Sequence, residues 1–379
     1  MSSPLSGVRI LDLTHFVAGP WCTMLLADLG AEVVKVEPLG GEIGRSMGSV
    51  YTVGESAIFL GFNRSKRSIS LDLKKPEGLA AALRLAAEAD VVVQNFRPGT
   101  AERLGLGATE LRARHPRLIY CTVSAFGSEG PYAARPANDP IIQALSGAMA
   151  ASAPTGGAPV RMGVSVPDFA AGVLAATGIL AAIHRRTETE TGCLVELNLL
   201  DAQLYAQTDL LTGSPTPDRE PTTIRGVYVC ADGLALWIDT ETPIAEWAAT
   251  GETASTNITA SSGTAEKQEK IAAMLRTRPR SHWLNVLGPD ATGAVPVLGL
   301  SDALGESRVR TLEVSHPTIG CLRQARTPVT ADPPWPIADA APPRLGEHTR
   351  EVLRELGFPE TEIERMVMQG SIYEPKPHP

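Results

Sequence analysis

The sequence predicts an α/β fold of two domains in which the larger domain is built on a parallel sheet. Buried strand-like runs alternate with helical segments through the first half of the chain, beginning with Val8–Leu13 and Ala31–Glu37. Two such strands around one helix form a βαβ unit, whose right-handed crossover makes the strands parallel. The 379 residues also exceed what one ordinary core accommodates, so we expect a second domain.

Composition and charge narrow the function classes. A hydrophobic content of 43% and a charged content of 20% are typical of a globular protein, and the net charge of −8 disfavours nucleic acid and anionic membrane as partners. The five cysteines are widely spaced without a Cys-x-x-Cys pair, which argues against a disulfide framework or a zinc site. The first residues lack a signal-peptide pattern, and the longest apolar run is too short for a bilayer, so we expect a cytoplasmic protein.

The opening βαβ unit leaves a nicotinamide-binding hypothesis open but weak. A loop at Thr14–Pro20 follows the first strand, a helix is expected at Trp21–Leu29, and Glu37 closes the second strand as an acid would in a dinucleotide site. The first loop, however, lacks Gly-x-Gly-x-x-Gly, whose glycines allow close backbone approach to a pyrophosphate.

A basic segment at Asn63–Gly78 stands out in this acidic chain. It combines a strand, in which Ile69, Leu71 and Leu73 alternate with polar residues, with a helix that begins at Pro76. Its cations are Arg64, Lys66, Arg67, Lys74 and Lys75. Such a run is most often a solvated surface strand, and the functional alternative is a phosphate site.

Two further strands end in polar loops. Asp90–Gln94 leads directly into Asn95, Phe96 and Arg97, a combination that suits an adenine and its phosphates at the carboxyl edge of a sheet. Leu118–Val123 leads into a loop rich in Gly and Pro, after which Asp139 is expected to cap a helix that ends near Ser152.

Asp168 stands where an extended run ends and a long apolar helix begins. Pro167 precedes it, and Phe169–Ile183 carries no charge, so we expect a helix that is buried nearly all round with Asp168 as its cap. A carboxylate at the positive end of a helix would be held ionised beside free N–H donors, as a nucleophile requires. The residues alone leave a simple capping role as the alternative.

The chain resembles the class III coenzyme A transferase (CaiB/BaiF) family, which includes carnitine and formyl-CoA transferases and the alpha-methylacyl-CoA racemases. The resemblance covers roughly the first 205 residues and returns at Pro343–Phe358. The motifs that carry it are PLSGVRILDLT, VAGP, GAEVVKVEP, NRSKRSISLDLKKPEG, NFRPG with RLGLG, AFGSEGPY, the helix start at Asp139, VPDFAAG and PRLGEHTREVLRELGF.

The resemblance implies an architecture. Members of the family have a large domain with a Rossmann-like parallel sheet and a smaller inserted α+β domain, and two chains interlock as a homodimer. Applied to this chain, it gives a large domain at 1–210, a small domain at 222–332 and a C-terminal segment at 336–379 that returns to the large domain.

The resemblance also implies a chemistry, with coenzyme A and acyl-CoA as substrates, a carboxylic acid as acceptor and no tightly bound cofactor. The residue that matches the family nucleophile is Asp168, which would form a mixed anhydride with the acyl group and then an aspartyl-CoA thioester. The positions that match CoA contacts in the family are Val17, Ala18, Leu71, Lys74, Asn95, Phe96, Arg97, Arg103, Leu104, Arg135 and Asn138.

One departure separates transfer from racemisation. A racemase removes a proton from one face of a carbon and returns it on the other, which calls for two bases. The family's racemases have a histidine thirty residues before the aspartate, where this chain has Asn138. We therefore expect a transferase, with a racemase as the alternative and His15 as an ordinary loop histidine.

The second departure concerns residues 207–335, which match the family poorly and lack the run of glycines found in many transferases. Arg225–Ile238 is expected to form a hairpin with Asp232-Gly233 at its turn, and Thr250–Lys267 a polar loop. The acceptor acid cannot be read from this region, and a CoA-binding protein without turnover remains an alternative function.

Overall fold

In a computed structural model of the protein, the described residues are 2–154, 157–213, 224–240, 264–287, 294–305, 310–336 and 338–375. They belong to two compact units, of which the first comprises 1–211 with 310–379 and the second 212–309. The domain ranges inferred from the sequence stay a prediction. The start of the small domain at 222 and most of the loop at Thr250–Lys267 lie outside the described residues.

The elements are named in chain order. They are β1 (Arg9–Leu13), α1 (Ala18–Asp28), β2 (Glu32–Glu37), a 3₁₀ turn (Ile43–Ser46), β3 (Val50–Thr52), β4 (Glu55–Ser56), α2 (Ala57–Phe62), β5 (Lys66–Leu71), α3 (Pro76–Glu88), β6 (Val91–Gln94), α4 (Thr100–Arg103), α5 (Ala108–Arg114), β7 (Ile119–Ser124), α6 (Asp139–Leu145), α7 (Ala148–Ala151), α8 (Val166–Thr189), β8 (Leu194–Asn198), α9 (Leu199–Ala206), α10 (Thr208–Thr212), β9 (Ile224–Val229), β10 (Ala235–Thr240), α11 (Thr264–Leu275), α12 (Arg280–Leu287), β11 (Ala294–Pro296), α13 (Leu300–Leu304), β12 (Thr311–His316), β13 (Gly320–Ala325), α14 (Thr349–Glu355), α15 (Glu360–Met368) and β14 (Ile372–Tyr373).

The central sheet of the first unit confirms the expected α/β class. Its seven strands lie in the order β14-β5-β2-β1-β6-β7-β8, and every neighbouring pair is parallel except β14 with β5. The chain builds the sheet outward from β1 in one direction through β2 and β5, and then in the other through β6, β7 and β8. This reversal between β1 and β6 is the topological switch point of a Rossmann-like sheet, where ligands bind outside the carboxyl ends of the strands.

Two apolar cores cover the two faces of this sheet. Alternate residues of the strands contribute to each core, since Ile10 and Val91 lie in one and Leu11 and Val92 in the other. The first core is closed by α1, α8 and α9, and the second by α3, α5, α14 and α15. Burial on both faces explains why these strands read as continuous apolar runs.

Part of the first face carries charges in place of apolar side chains. The Asp12 carboxylate accepts hydrogen bonds from the Lys66 ammonium (3.0 Å) and from the Thr14 and Thr23 hydroxyls. Lys35 donates to the Thr14 carbonyl at 2.6 Å. Although burial raises the pKa of Asp12, the two lysines lower it far below its ordinary range. The ionised network ties β1, β2 and β5 to the loop after β1.

The phosphate-site interpretation of the basic segment is wrong for its first three cations. Arg64 forms a bidentate pair with Asp28, Lys66 is fully buried against Asp12, and Arg67 pairs with glutamates of β2 and α14. Lys75 donates to carbonyls at the end of α15. The segment is mainly a charged inner strand.

Two of the helices differ from expectation. The helix predicted through Ser152 is broken into α6 and α7 at Gly147, which takes the left-handed conformation (φ +80°). On α8 the buried residues form a stripe that packs on α1, while Phe169 is 47% exposed and Thr177 and Ala181 are exposed as well. Burial of this helix nearly all round is therefore wrong, because the described residues of this chain cover one side of it.

The composition of α8 also bears on membranes. Its 24 residues and a mean hydropathy of 1.8 over the most apolar stretch would suit a membrane span. The apolar stripe, however, includes Ala171, Ala175 and Ile179, which are part of the first core.

The second unit confirms the predicted hairpin. Strands β9 and β10 are antiparallel, Gly233 occupies the turn with φ +75°, and β11 extends the sheet beside β10. A small core forms between this sheet and α11 and α12, around Leu236, Ile238, Ile271 and Trp283.

Candidate active site

A cavity of about 480 Å³ opens at the switch point of the central sheet. Its walls come from the loop after β1, the loop after β6, the end of β7, the start of α6 and the first turn of α8. The candidate residues that line it are Val17, Ala18, Asn95, Phe96, Arg97, Arg135, Asn138 and Asp168. The structure thus brings together eight of the twelve residues singled out from the sequence.

Asp168 is not the helix cap that the sequence suggested. The N-cap of α8 is Ser165, whose side chain makes no capping hydrogen bond, and Asp168 lies in the first turn beyond it. It is 4% exposed, and its Oδ2 atom has no hydrogen-bond partner among the described residues. Asp168 lines the cavity, and one of its carboxylate oxygens is buried without a hydrogen bond from the described residues.

The charge state of Asp168 also differs from expectation. Burial, and then the neighbouring Asp139 carboxyl, raise the pKa of Asp168 to about 7, so that the group is not held ionised across the neutral range. Burial raises the pKa of Asp168 by more than the dipole at the start of α8 lowers it. A buried acid with a pKa near neutrality is a feature of functional sites.

Asp139 is the residue that sequence reasoning assigned to capping alone. The N-cap of α6 is in fact Asn138, and Asp139 follows as the first helical residue, 3% exposed. Its Oδ1 atom accepts from Gln143 Nε2 at 2.6 Å, its Oδ2 atom has no partner among the described residues, and burial raises its pKa. Asp139 and Asp168 are thus two neighbouring buried acids, and the Asp139 carboxyl disfavours the charged form of Asp168.

Gln143 connects this acid pair to the segment before α8. Its Oε1 atom accepts from the Met162 N–H at 2.9 Å, while its Nε2 group donates to Asp139. The side chain is fully buried. Gln143 therefore fixes the segment before α8 relative to α6. The sequence signal for this role was only a polar residue one helical turn after an acid.

The loop after β1 forms another wall of the cavity, and hydrogen bonds to Asn95 and to Glu42 hold this loop in place. Asn95 donates to the His15 carbonyl and accepts from the His15 N–H, both at 2.8 Å. Phe16 adopts a positive φ of 70°, which is uncommon for a bulky residue, and its N–H donates to the buried Glu42 carboxylate at 3.1 Å. Asn95 therefore orients the wall of the cavity as well as facing it.

His15 lines the cavity with its ring 5.2 Å from that of Phe96. Burial and the positive charge of Lys35 lower the pKa of His15 to about 4. The imidazole is therefore neutral at physiological pH, and its low basicity makes it a weak proton acceptor.

Arg97 and Arg135 supply the positive charge of the cavity. Both are exposed and neither forms an ion pair within the described parts of the chain, while Arg135 lies over the Tyr132 ring at 5.5 Å. Guanidinium groups free of carboxylates can bind phosphate oxygens through paired N–H donors.

The remaining four candidates lie outside the cavity lining. Leu71 is buried in the second core, and Leu104 packs on that core together with Phe96. Lys74 is exposed beyond the end of β5, and Arg103 is exposed as the last residue of α4. Their positions on the same edge of the sheet leave room for a ligand that extends past the cavity, and their roles stay a prediction.

The position of α8 depends on a close helix contact. A Cβ atom at Gly172 would lie 2.9 Å from the Ala18 carbonyl oxygen and 3.0 Å from the Trp21 Cβ. Glycine therefore allows α8 to approach α1 closely, one turn after Asp168. Ala18 itself lines the cavity, so this contact joins both of its walls.

Comparisons with known proteins agree with this geometry. The CoA-transferase family III model matches residues 5–349, including the region that was expected to match poorly. The chain is 33% identical to succinyl-CoA:glutarate CoA-transferase of Mus musculus (97% of this chain, 90% of the relative) and 31% identical to succinate–glutarate CoA-transferase of Agrobacterium fabrum (93% and 96%). A solved CaiB/BaiF family protein from Brucella suis superimposes with a TM-score of 0.83 at 28% identity, over 94% of this chain and all of that one.

Proposed function

Because the chain belongs to CoA-transferase family III, we propose that it moves coenzyme A from an acyl-CoA thioester to a free carboxylic acid, with Asp168 as the nucleophile. The observation that carries the proposal is the Asp168 carboxyl, buried yet lining a 480 Å³ cavity at the switch point. Several relatives are named for succinyl-CoA as donor, which makes a small dicarboxylic acid our first choice of acceptor.

The reaction begins when the ionised Asp168 attacks the thioester carbonyl, breaks the C–S bond and releases the CoA thiolate. The thiolate then attacks the aspartyl carbonyl of the mixed anhydride, which frees the donor acid and leaves an aspartyl-CoA thioester. The acceptor carboxylate reverses these two steps and departs as the new acyl-CoA. Each of the four steps consumes one anion and releases one, a carboxylate for a thiolate or a thiolate for a carboxylate, so charge balances throughout.

The surroundings of Asp168 suit these intermediates. Anhydrides hydrolyse readily, and a side chain 4% exposed at the base of a cavity is shielded from bulk water once a substrate fills the opening. Asp139 favours the neutral form of Asp168, and acylation removes the charge that Asp139 opposes. The acid pair thereby raises the free energy of the free carboxylate relative to the acylated enzyme.

Arg97 and Arg135 are the cavity residues best suited to the CoA phosphates, with Asn95 and Phe96 beside the pantetheine or adenine. Lys74 and Arg103 would meet the more distant phosphate, as the family resemblance implies. We also propose an interlocked homodimer, in which a second chain would cover the exposed side of α8, and a cytoplasmic location.

Racemisation has less support. Asn138 lines the cavity where a histidine would be needed, and an amide does not titrate. His15 has a pKa of about 4, too low for an efficient base at neutral pH. A CoA-binding protein without turnover would leave the buried acid pair unexplained.

The test is covalent trapping. The protein is incubated with succinyl-CoA and then hydroxylamine, and the Asp168 peptide is examined by mass spectrometry. We expect a hydroxamate at Asp168 in the wild type and none in Asp168→Ala, with Asp201→Ala, an exposed acid on α9, as the matched control. CoA binding without a hydroxamate would contradict the proposal.

A further inference from the structure

The open end of the β12–β13 hairpin carries two arginines directly opposite each other. The Arg326 N–H donates to the Arg310 carbonyl at 3.1 Å and extends the ladder one pair beyond Thr311 and Ala325. Side chains that face each other in this way have Cβ atoms about 4.5–5.5 Å apart, and like charges at that separation destabilise a hairpin. The chain therefore maintains an unfavourable pair at this position.

No acid in the described parts of the chain offsets this pair. Asp28 lies nearby, but Arg64 already occupies both of its oxygens, with Nε at 2.8 Å from Oδ1 and Nη2 bonded to Oδ2. Arg64 also donates to the Ala325 carbonyl and so stands beside the two hairpin arginines. Asp28 lines the same cavity as Arg310 and Arg326 but is already paired with Arg64, so the two hairpin arginines add two positive charges there, in a protein of net charge −8.

The two arginines converge on a cavity of about 240 Å³, which we call the hairpin-end cavity. Trp335, which is 40% exposed, forms part of its wall, and Thr327 and Thr330 add hydroxyl groups. None of its residues lines the cavity that contains Asp168. It is therefore a separate concave site with charge, hydroxyl donors and an aromatic face.

We propose that the hairpin-end cavity binds a small dianion, either a phosphate group or a short dicarboxylate. Arg310 and Arg326 would each donate paired N–H groups to its oxygens, because guanidinium forks match planar and tetrahedral oxyanions. The bound charge would neutralise the opposed arginines, and the Trp335 indole would contact the ligand's organic part. The site lies outside the transferase cavity, so its ligand need not be a substrate.

The experiment is a direct titration of the full chain with inorganic phosphate and, separately, succinate, followed by calorimetry and tryptophan fluorescence. We expect binding of at least one of them that weakens tenfold or more in the Arg310→Gln/Arg326→Gln double variant. The matched control is Arg323→Gln, which removes a charge from the same hairpin at a position paired with Glu313. Trp335→Phe should abolish the fluorescence change.

A second readout needs no ligand. Removing two opposed charges should raise the thermal midpoint of the double variant by about 1–3 °C in ligand-free buffer. Added phosphate or succinate should raise the thermal midpoint of the wild type but not that of the double variant. Binding that persists in the double variant but disappears in Arg97→Gln would place the anion in the transferase cavity and overturn the proposal. Failure of both anions to bind, with loss of oligomers in the double variant, would assign the arginines to a protein partner and overturn it equally.

Discussion

Two buried acids of the same unit, Asp12 and Asp168, show opposite solutions to the cost of burying a charge. Asp12 accepts from Lys66 and two threonine hydroxyls and has a pKa far below its ordinary range. Asp168 has an oxygen without a partner and a pKa raised to about 7. Asp12 is compensated by lysines and hydroxyl donors and stays ionised, whereas the uncompensated Asp168 titrates near neutrality, as groups at functional sites often do.

The largest expected effect concerns the unmatched acid. Asp168→Asn should lower kcat by about 10⁴-fold or more, because the variant lacks the proposed nucleophile. The same variant should be more stable than the wild type above pH 7. Folding raises this pKa from 3.8 to about 7, so the folded wild type loses stability as pH rises between those values, and the variant does not.

Steady-state assays and thermal melts at pH 4, 6 and 8 check both parts of this prediction. The stability advantage should be absent at pH 4, grow through pH 6 and be complete by pH 8. A variant that is inactive and also less stable at pH 8 would mean that Asp168 is structural, like Asp12.

The next effect concerns the matched acid. Lys66→Met should destabilise the protein by about 3–5 kcal/mol, because Asp12 would lose its nearest cation while remaining buried. Urea unfolding measures the change. The control is Lys74→Met on the following exposed turn, which should change stability by less than about 0.5 kcal/mol. Equal effects would show that the buried pair contributes nothing beyond a surface lysine.

Much of this contrast could not be predicted from the sequence. The strands and the switch-point loops were predicted, since apolar runs and strand-end polar residues indicate them locally, and the role of Asp168 stays a prediction. The burial of Arg64 and Lys66 in ion pairs was not predicted, because their partners Asp28 and Asp12 lie 36 and 54 residues away in the sequence. A run of cations looks the same whether it faces phosphate or buried carboxylates.

Asp139 was overlooked for a similar reason. A local pattern of Asn-Asp-Pro indicates a helix start, and either of its first two residues could have been the cap. Only the packing of α6 against the start of α8 brings its carboxyl group close enough to raise the pKa of Asp168. The burial of α8 was overestimated because the apolar composition of a helix does not show which of its sides the rest of the chain packs against.

A smaller effect is expected at the exposed cations. Arg97→Gln should raise the KM for the acyl-CoA by roughly 10- to 30-fold, in line with the loss of a charge-assisted hydrogen bond, and leave kcat nearly unchanged. Lys74→Gln should raise the KM less, because Lys74 lies outside the cavity lining. Initial rates across acyl-CoA concentrations measure both, and a larger effect of Lys74→Gln would place the phosphates farther along the sheet edge.

The smallest effect is a shift in pH dependence. Activity should increase with pH through about 7, as Asp168 becomes ionised. Asp139→Asn removes the neighbouring charge that raises this pKa, so the midpoint of kcat/KM against pH should move down, by up to about one unit. The exposed Glu110→Gln should leave the midpoint in place. An upward shift would exclude charge repulsion as the link between the two acids.

The contact at Gly172 has a consequence for how such an enzyme can change. A side chain there would meet the Ala18 carbonyl oxygen at 2.9 Å and force α8 away from α1, which would displace the Asp168 carboxyl group as well. Reacting atoms must approach to about 3–3.5 Å, so a shift of one ångström would be felt directly in the rate. Under the proposed mechanism, the missing side chain at Gly172 would therefore set the spacing between the Asp168 carboxylate and the thioester, and a change of substrate range would have to come from the loops while this glycine is kept.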